Sequence, residues 1–158
     1  GELYQFCDSL IVLDQVTVVE YGSKNQIFLH PTQLSTAKLI GCRNISRAKR
    51  IGEYELMALD WELNLRTMER VTDDIRYVGI FANHLKLVQS PGENSIPADL
   101  IEVMESPGEV NLFFKKPGPL NEKKQGFHLI LPKTDWLNRV KSLKSILHFP
   151  KERLLLLK

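Results

Sequence analysis

At 158 residues, with 43% hydrophobic and 25% charged content, the chain has single-domain size and globular composition, which excludes a largely disordered or low-complexity polypeptide. A formal net charge of +2 does not mark a nucleic-acid binder, although local basic patches can sit inside a balanced total. Its two cysteines, Cys7 and Cys42, have no CxxC or Cys/His spacing, which argues against a disulfide framework or zinc site and for free thiols in a reducing compartment.

No apolar run reaches the roughly 18 residues of a spanning helix. The expectation is one soluble domain, 1–158, with no membrane partner. Because Gly1 is not an initiator Met, the domain is read as excised from a larger polypeptide.

In chain order, Leu10 to Glu20 is rich in Val, Ile and Leu and leads to the turn residues Gly22 and Ser23. Ile27, Phe28 and Leu29 resume an apolar run before Pro31, so the two runs predict an antiparallel hairpin. Thr36 to Cys42 fits a strand or a short helix, and Gly41 and Asn44 favour the strand. Arg43, Arg47, Lys49 and Arg50 form the densest basic cluster. They read as an exposed turn between strands or as a phosphate contact. Glu53 to Leu63 predicts a strand, with Trp61 as a packing anchor.

The cleanest periodicity runs from Leu65 to Lys86. Leu65, Met68, Val71, Ile75, Val78, Ala82 and Leu85 recur at steps of three or four, which predicts a long amphipathic helix. Gly79 inside it marks close packing. Ser95 and Pro97 open a predicted short helix, Ile96 to Glu105. Val110 to Phe114 and Phe127 to Leu131 predict a second hairpin around the exposed loop Lys115 to Lys124. Trp136, Leu137, Val140, Leu143, Ile146 and Leu147 predict a last helix, capped by Thr134 or Asp135 and decorated by Arg139, Lys141 and Lys144. No internal repeat is evident. The predicted fold class is α+β: a mixed, mainly antiparallel sheet packed on one long central helix, with further short helices.

The four histidines are scattered, and HExxH, GxSxG, Walker and GxGxxG motifs are absent. The pair Asp73 and Asp74 would diverge by about 100° on a helix, a poor metal clamp. The expectation is a non-enzyme with no catalytic residue, metal or cofactor.

The hairpin ending in Ile27, Phe28 and Leu29, the segment Ser35 to Ala37, the Glu55 to Leu59 strand feeding the Leu65 to Lys86 helix, and the Leu100 to Leu131 ending carry a resemblance. Together, over about Val16 to Lys133, they resemble the central cap-binding domain of orthomyxovirus polymerase basic protein 2, in a thogotovirus-like branch. That resemblance implies a non-catalytic module supporting cap-snatching transcription, other subunits of a viral heterotrimeric RNA polymerase as partners, capped or uncapped RNA as ligand, and the host nucleus and virion as location.

In that family a methylated guanine is stacked between two aromatic rings and read by a carboxylate. By position, the first ring falls near Tyr21, Phe28 flanks the pocket, and the acidic reader falls on Asn25 or Gln26, which carry no charge. Residues 82 to 112 contain no Phe, Tyr or Trp for the second ring. Losing one stacked ring costs about 1–3 kcal/mol, so the resemblance implies weak or no cap binding. A scaffolding domain, or a sequence-independent RNA-binding module using Arg43 to Arg50 and Lys115 to Lys124, is the alternative.

Overall fold

Period-two alternation, and not helical spacing, decides which side chains are buried. In the strand Asn44–Gly52, Asn44, Ser46 and Ala48 turn inward while Arg47 and Lys49 are exposed, as a pleated strand requires. A computed structural model describes residues 2–6, 9–14, 17–23, 30–118, 126–139 and 142–158, those before residue 30 by backbone.

Among the described residues there are three antiparallel sheets. The first is a meander of β1 (Glu2–Phe6), β2 (Ser9–Asp14) and β3 (Thr17–Ser23). Asp14 pairs with Thr17, so the chain reverses inside the run expected to be one strand, and Ile27 to Leu29 lie outside the described residues. The second sheet contains β4 (Asn44–Gly52), β5 (Glu55–Ala58), β6 (Leu63–Arg66), β7 (Tyr77–Ile80) and β13 (Leu155–Leu157), in the order β13-β7-β4-β5-β6. The third contains β8 (Lys86–Val88), β9 (Ser95–Glu105), β10 (Glu109–Lys115), β11 (Phe127–Pro132) and β12 (Lys144–His148), in the order β8-β12-β9-β10-β11. The helices among the described residues are short: α1 (Leu34–Leu39) and α2 (Lys133–Leu137), with a 3-10 turn at Lys151–Arg153.

The long central helix does not exist, and with it the predicted α+β architecture falls. Leu65 to Lys86 comprises the end of β6, a looping connection, β7 and the start of β8. Leu65, Val71, Ile75, Val78 and Leu85 are buried as predicted, whereas Met68 is 55% exposed. Short strands alternating with turns return to the core every three or four residues and so imitate a helical stripe. Val71, Thr72, Ile75 and Val78 are β-branched and favour extended backbone. Gly79 does mark close packing: a Cβ there would lie 3.2 Å from the Asn44 carbonyl oxygen.

Two further helices are corrected. Ile96 to Glu105 is the strand β9, in which Ile96 and Ala98 face the core and Pro97 points outward. The last predicted helix stops at Leu137, and Ile146 and Leu147 belong to β12. In the other direction, Thr36 to Leu39 is helical. Gly41, with φ of 96°, is its C′ residue: the Gly41 N–H bonds the Lys38 carbonyl and the Cys42 N–H bonds the Ala37 carbonyl. That is the Schellman arrangement, for which glycine is preferred.

The two five-stranded sheets repeat one another. β4, β5, β6 and β7 take the same places in the first order as β9, β10, β11 and β12 in the second. The fifth strands are exchanged, since β8 follows β7 in sequence but pairs with β12, while β13 follows β12 but pairs with β7. The registers agree in detail. Leu156 lies opposite Val78 as Leu87 lies opposite Leu147, and Leu56 opposite Leu65 as Phe114 opposite Phe127. Each long strand carries one extra residue, Ile51 in β4 and Ile101 in β9, a β-bulge in each half. Both halves feed one core, at whose centre Trp61 of the first half packs on Phe127 and Phe149 of the second at 5.6 and 5.2 Å. Trp61 is fully buried, as expected of a packing anchor.

Candidate functional site

The basic residues picked out in the sequence lie on β4 and its approach, where alternation divides them. Arg43 and Arg47 reach a cleft of about 540 Å³ between α1 and the outer face of β4 and β7. Lys49 is exposed further along the strand. Arg50 turns to the other side, where its Nε donates to the Val71 carbonyl at 2.9 Å and its Nη1 lies 3.4 Å from Asp73. Arg43 and Arg47 are therefore together and Arg50 is not with them; the segment is a strand, not the expected turn. Tyr21 lies on β3 opposite Ile11. Asn25, Gln26 and Phe28 lie outside the described residues.

The cleft is held by a small satellite core. Ala37, Cys42, Leu155 and Leu157 pack together, with Leu34, Ile45 and Tyr77 around them. The entry of α1 is fastened to the end of β13, because the Leu34 N–H bonds the Lys158 carbonyl and the Lys158 N–H bonds the Thr32 carbonyl. This places Lys38, in the last turn of α1, on the cleft with Arg43, Arg47, Asp60 and Tyr77. Sequence reading missed Lys38 and Tyr77 as site residues. A helix reading of Thr36 to Cys42 would have set Lys38 one turn before Arg43.

Three cations and one carboxylate line this space. Asp60 is committed to Arg47: its Oδ1 accepts from Nη2 at 2.8 Å and from Nε at 3.0 Å, and its Oδ2 accepts the Arg47 backbone N–H at 2.8 Å. The Arg47 hydrogen bonds hold the Asp60 carboxyl below its usual range. Lys38 and Arg43 make no ion pair among the described residues, and cations outnumber carboxylates three to one among the described residues that line the cleft. The Arg43 charge also bears on His128, held below the usual imidazole value first by burial and then by that charge. Cys42 is inert at neutral pH: burial pushes its thiol up to about 11, and its Sγ–H points to the Ile80 carbonyl oxygen at 3.5 Å. No cluster of His, Cys, Asp and Glu among the described residues is arranged to hold a metal ion.

A second cleft, of about 520 Å³, lies in the second half between the end of α2 and β8, β9, β10 and β12. Arg139 and Lys144 border it. The sequence reading placed both on a single helix; α2 in fact ends before Arg139, and Lys144 starts β12.

No protein-family model matches the chain, and no curated protein matches it. Among solved structures, it is similar to the cytoplasmic molybdate-binding protein ModG, crystallised with molybdate bound, at 8% identity and a TM-score of 0.54. The likeness covers 73% of this chain and 96% of that one, and it is a likeness of fold. Among the described residues no helix is long and apolar enough to cross a membrane.

Proposed function

We propose that this chain is a non-catalytic binding module that captures a small tetrahedral oxyanion in the basic cleft under α1. The observation that carries the reading is the pair Lys38 and Arg43, two cations without a carboxylate partner among the described residues, beside Arg47, whose charge Asp60 already occupies. An anion entering there meets more cations than carboxylates among the described residues, and a guanidinium can hold two of its oxygens at once. The shared fold with a molybdate-binding protein makes molybdate the first anion to test, followed by tungstate, sulfate and phosphate.

Calorimetric titration decides the matter. Saturable binding of at least one of these anions is expected, weakened tenfold or more by Arg43→Ala or Lys38→Ala and unchanged by Lys49→Ala. Absence of binding by all four, or binding indifferent to both substitutions, overturns the reading. The other reading, a cap-binding-like module of a viral polymerase in the host nucleus and virion, has an incomplete pocket at Tyr21, Asn25, Gln26 and Phe28 and carries an expectation of weak or no cap binding. Methyl-selective binding of a guanosine cap analogue, titrated beside its unmethylated form, would favour that kinship, and anion binding sensitive to Lys38 and Arg43 favours the oxyanion cleft.

A further inference from the structure

The carboxylate that lines the basic cleft is held from several directions. The Asp60 N–H donates to the Ser46 hydroxyl at 3.0 Å and the Leu59 N–H to the Arg47 carbonyl at 2.8 Å, so the turn that carries Asp60 is laced to β4. Its side chain, 17% exposed, accepts three hydrogen bonds from Arg47 alone, two on Oδ1 and one on Oδ2. An ionised carboxylate has acceptor sites for about four. One is therefore left, on the Oδ2 of a residue that lines the cleft.

The repeated framework does not demand this pair. Arg47 lies opposite Tyr77 as Pro97 lies opposite Ile146, so the second half has, in place of the guanidinium and N–H that bind Asp60, a proline with neither. Arg43, next to Asn44, is matched by Glu93, next to Asn94. Cations grouped around one carboxylate thus belong to the cleft and not to the shared fold.

Asp60, kept ionised by Arg47, accepts hydrogen bonds and donates none. An oxyanion without a proton meets it only by repulsion, whereas one that carries a hydroxyl can donate to it. Near neutral pH molybdate, tungstate and sulfate carry no proton, and inorganic phosphate keeps at least one. We infer, resting on the oxyanion reading of this cleft, that Asp60 is its specificity-determining residue and selects protonated tetrahedral oxyanions, the class of hydrogen phosphate, over fully deprotonated ones. The anion's charge rests on Lys38 and Arg43, and its hydroxyl donates to the Asp60 Oδ2. Attraction for one class and repulsion of the other act through the same atom. The fold likeness sets the order in which anions are tried; the carboxylate sets the order in which they bind.

The test is calorimetry of the intact chain with phosphate, sulfate, molybdate and monofluorophosphate, the last a dianion of phosphate shape in which fluorine replaces the hydroxyl. Phosphate is expected to bind at least tenfold more tightly than each of the other three. In Asp60→Asn, whose carboxamide can donate, sulfate and molybdate should tighten and the preference for phosphate should fall below threefold, while circular dichroism stays that of the parent. Releasing Arg47 from Asp60 would strengthen all four anions together, so the ratio, and not the affinity, reports the proton. Sulfate, molybdate or monofluorophosphate bound by the parent as tightly as phosphate overturns the inference and leaves the oxyanion reading standing, and that comparison needs no variant. A phosphate preference that survives Asp60→Asn also overturns it. Binding of none of the four overturns both.

Discussion

Asn44 and Asn94 do the same work from equivalent places in the two halves, each reaching into the third strand of the other half. The Asn44 Nδ2–H donates to the His128 carbonyl at 2.7 Å, and its Oδ1 accepts the His128 N–H at 2.8 Å. The Asn94 Nδ2–H donates to the Arg66 carbonyl at 2.8 Å and its Oδ1 accepts the Arg66 N–H at 2.8 Å. A carboxamide carries the donor and acceptor of a peptide group, so each asparagine stands in for one residue of an extra strand. Asn94 also donates to the Phe149 carbonyl at 3.1 Å and has φ of 54°, a conformation that asparagine tolerates better than most residues. Asn94→Ala leaves several backbone groups unpaired and adds strain at positive φ. We expect a loss of about 2–4 kcal/mol, and somewhat less for Asn44→Ala, read from urea unfolding. A change below about 0.5 kcal/mol at both sites would contradict this role.

Gly79 of β7 lies opposite Ile45 of β4 with little room above its Cα. A methyl group there meets the Asn44 carbonyl oxygen at 3.2 Å, the Cys42 Sγ at 3.4 Å and the Ile45 Cγ1 at 3.4 Å. The nearest neighbour is backbone, and Asn44 is tied to β11 by its own side chain, so it yields poorly. Gly79→Ala should destabilise by about 1–3 kcal/mol, as overpacking does, despite the gain in strand propensity. Thermal unfolding checks the sign.

Cys42 tests burial directly. Its thiol titrates near 11 in the folded chain against an ordinary value of 9.0. A raised thiol value means that its contribution to stability is complete below about pH 9 and is lost as the pH rises from there towards 11. At pH 8, alkylation of Cys42 by iodoacetamide, followed on its own peptide by mass spectrometry, should be slow in the native chain and fast in urea. Rapid native labelling would contradict the packing of α1 on β4 and β13.

What the sequence disclosed was the destination of side chains more than the path of the backbone. Trp61, Leu65, Val78 and Leu85 were recognised as interior, and the β10 and β11 hairpin was read with close to its true bounds, because each strand alternates cleanly between turn residues; the strand expected over Glu53 to Leu63 overran β5, which ends at Ala58 before a turn leads into β6. The helix from Leu65 to Lys86 was misread because strands of three or four residues are too short to display their own period. The duplication escaped notice because it survives in places, such as Asn44 and Asn94, Ala48 and Ala98, and Ile51 and Ile101, while the connections between strands differ in length. At the basic cleft, Arg43 and Arg47 were found from their spacing. Lys38 was not, because Gly41 was read as a strand feature when it terminates a helix.

The ion pair of Arg47 and Asp60 should show itself in the pH dependence of stability. The Asp60 carboxyl is held below its ordinary value by the Arg47 hydrogen bonds first. Its contribution is therefore present above about pH 4, the unfolded value, and is lost as the pH falls through the lower folded value. Asp60→Asn should cost about 1 kcal/mol at pH 7, a modest figure because Arg47 is 66% exposed and screened. The gap between parent and variant should narrow as the pH drops below about 4. A gap that holds steady to pH 2 would mean that Asp60 acts only as a neutral hydrogen-bond partner.

The exchange of β8 and β13 makes the last prediction, since it couples each half to a strand supplied from the other side of the sequence. β13 completes the first-half sheet against β7, and its leucines are buried, at 2%, 8% and 0% exposure for Leu155, Leu156 and Leu157. Removing a buried leucine side chain costs about 2–5 kcal/mol, so Leu157→Ala alone should consume a large part of a typical domain stability. Deleting residues 155–158 also frees the edge of β7 and the tie between Lys158 and the entry of α1. Hydrogen exchange should then rise first in β7, β4 and α1, which are remote in sequence, and less in β9 and β12, which are near. If protection were lost first in β12, the strand next to the cut in sequence, the exchanged pairing would be wrong.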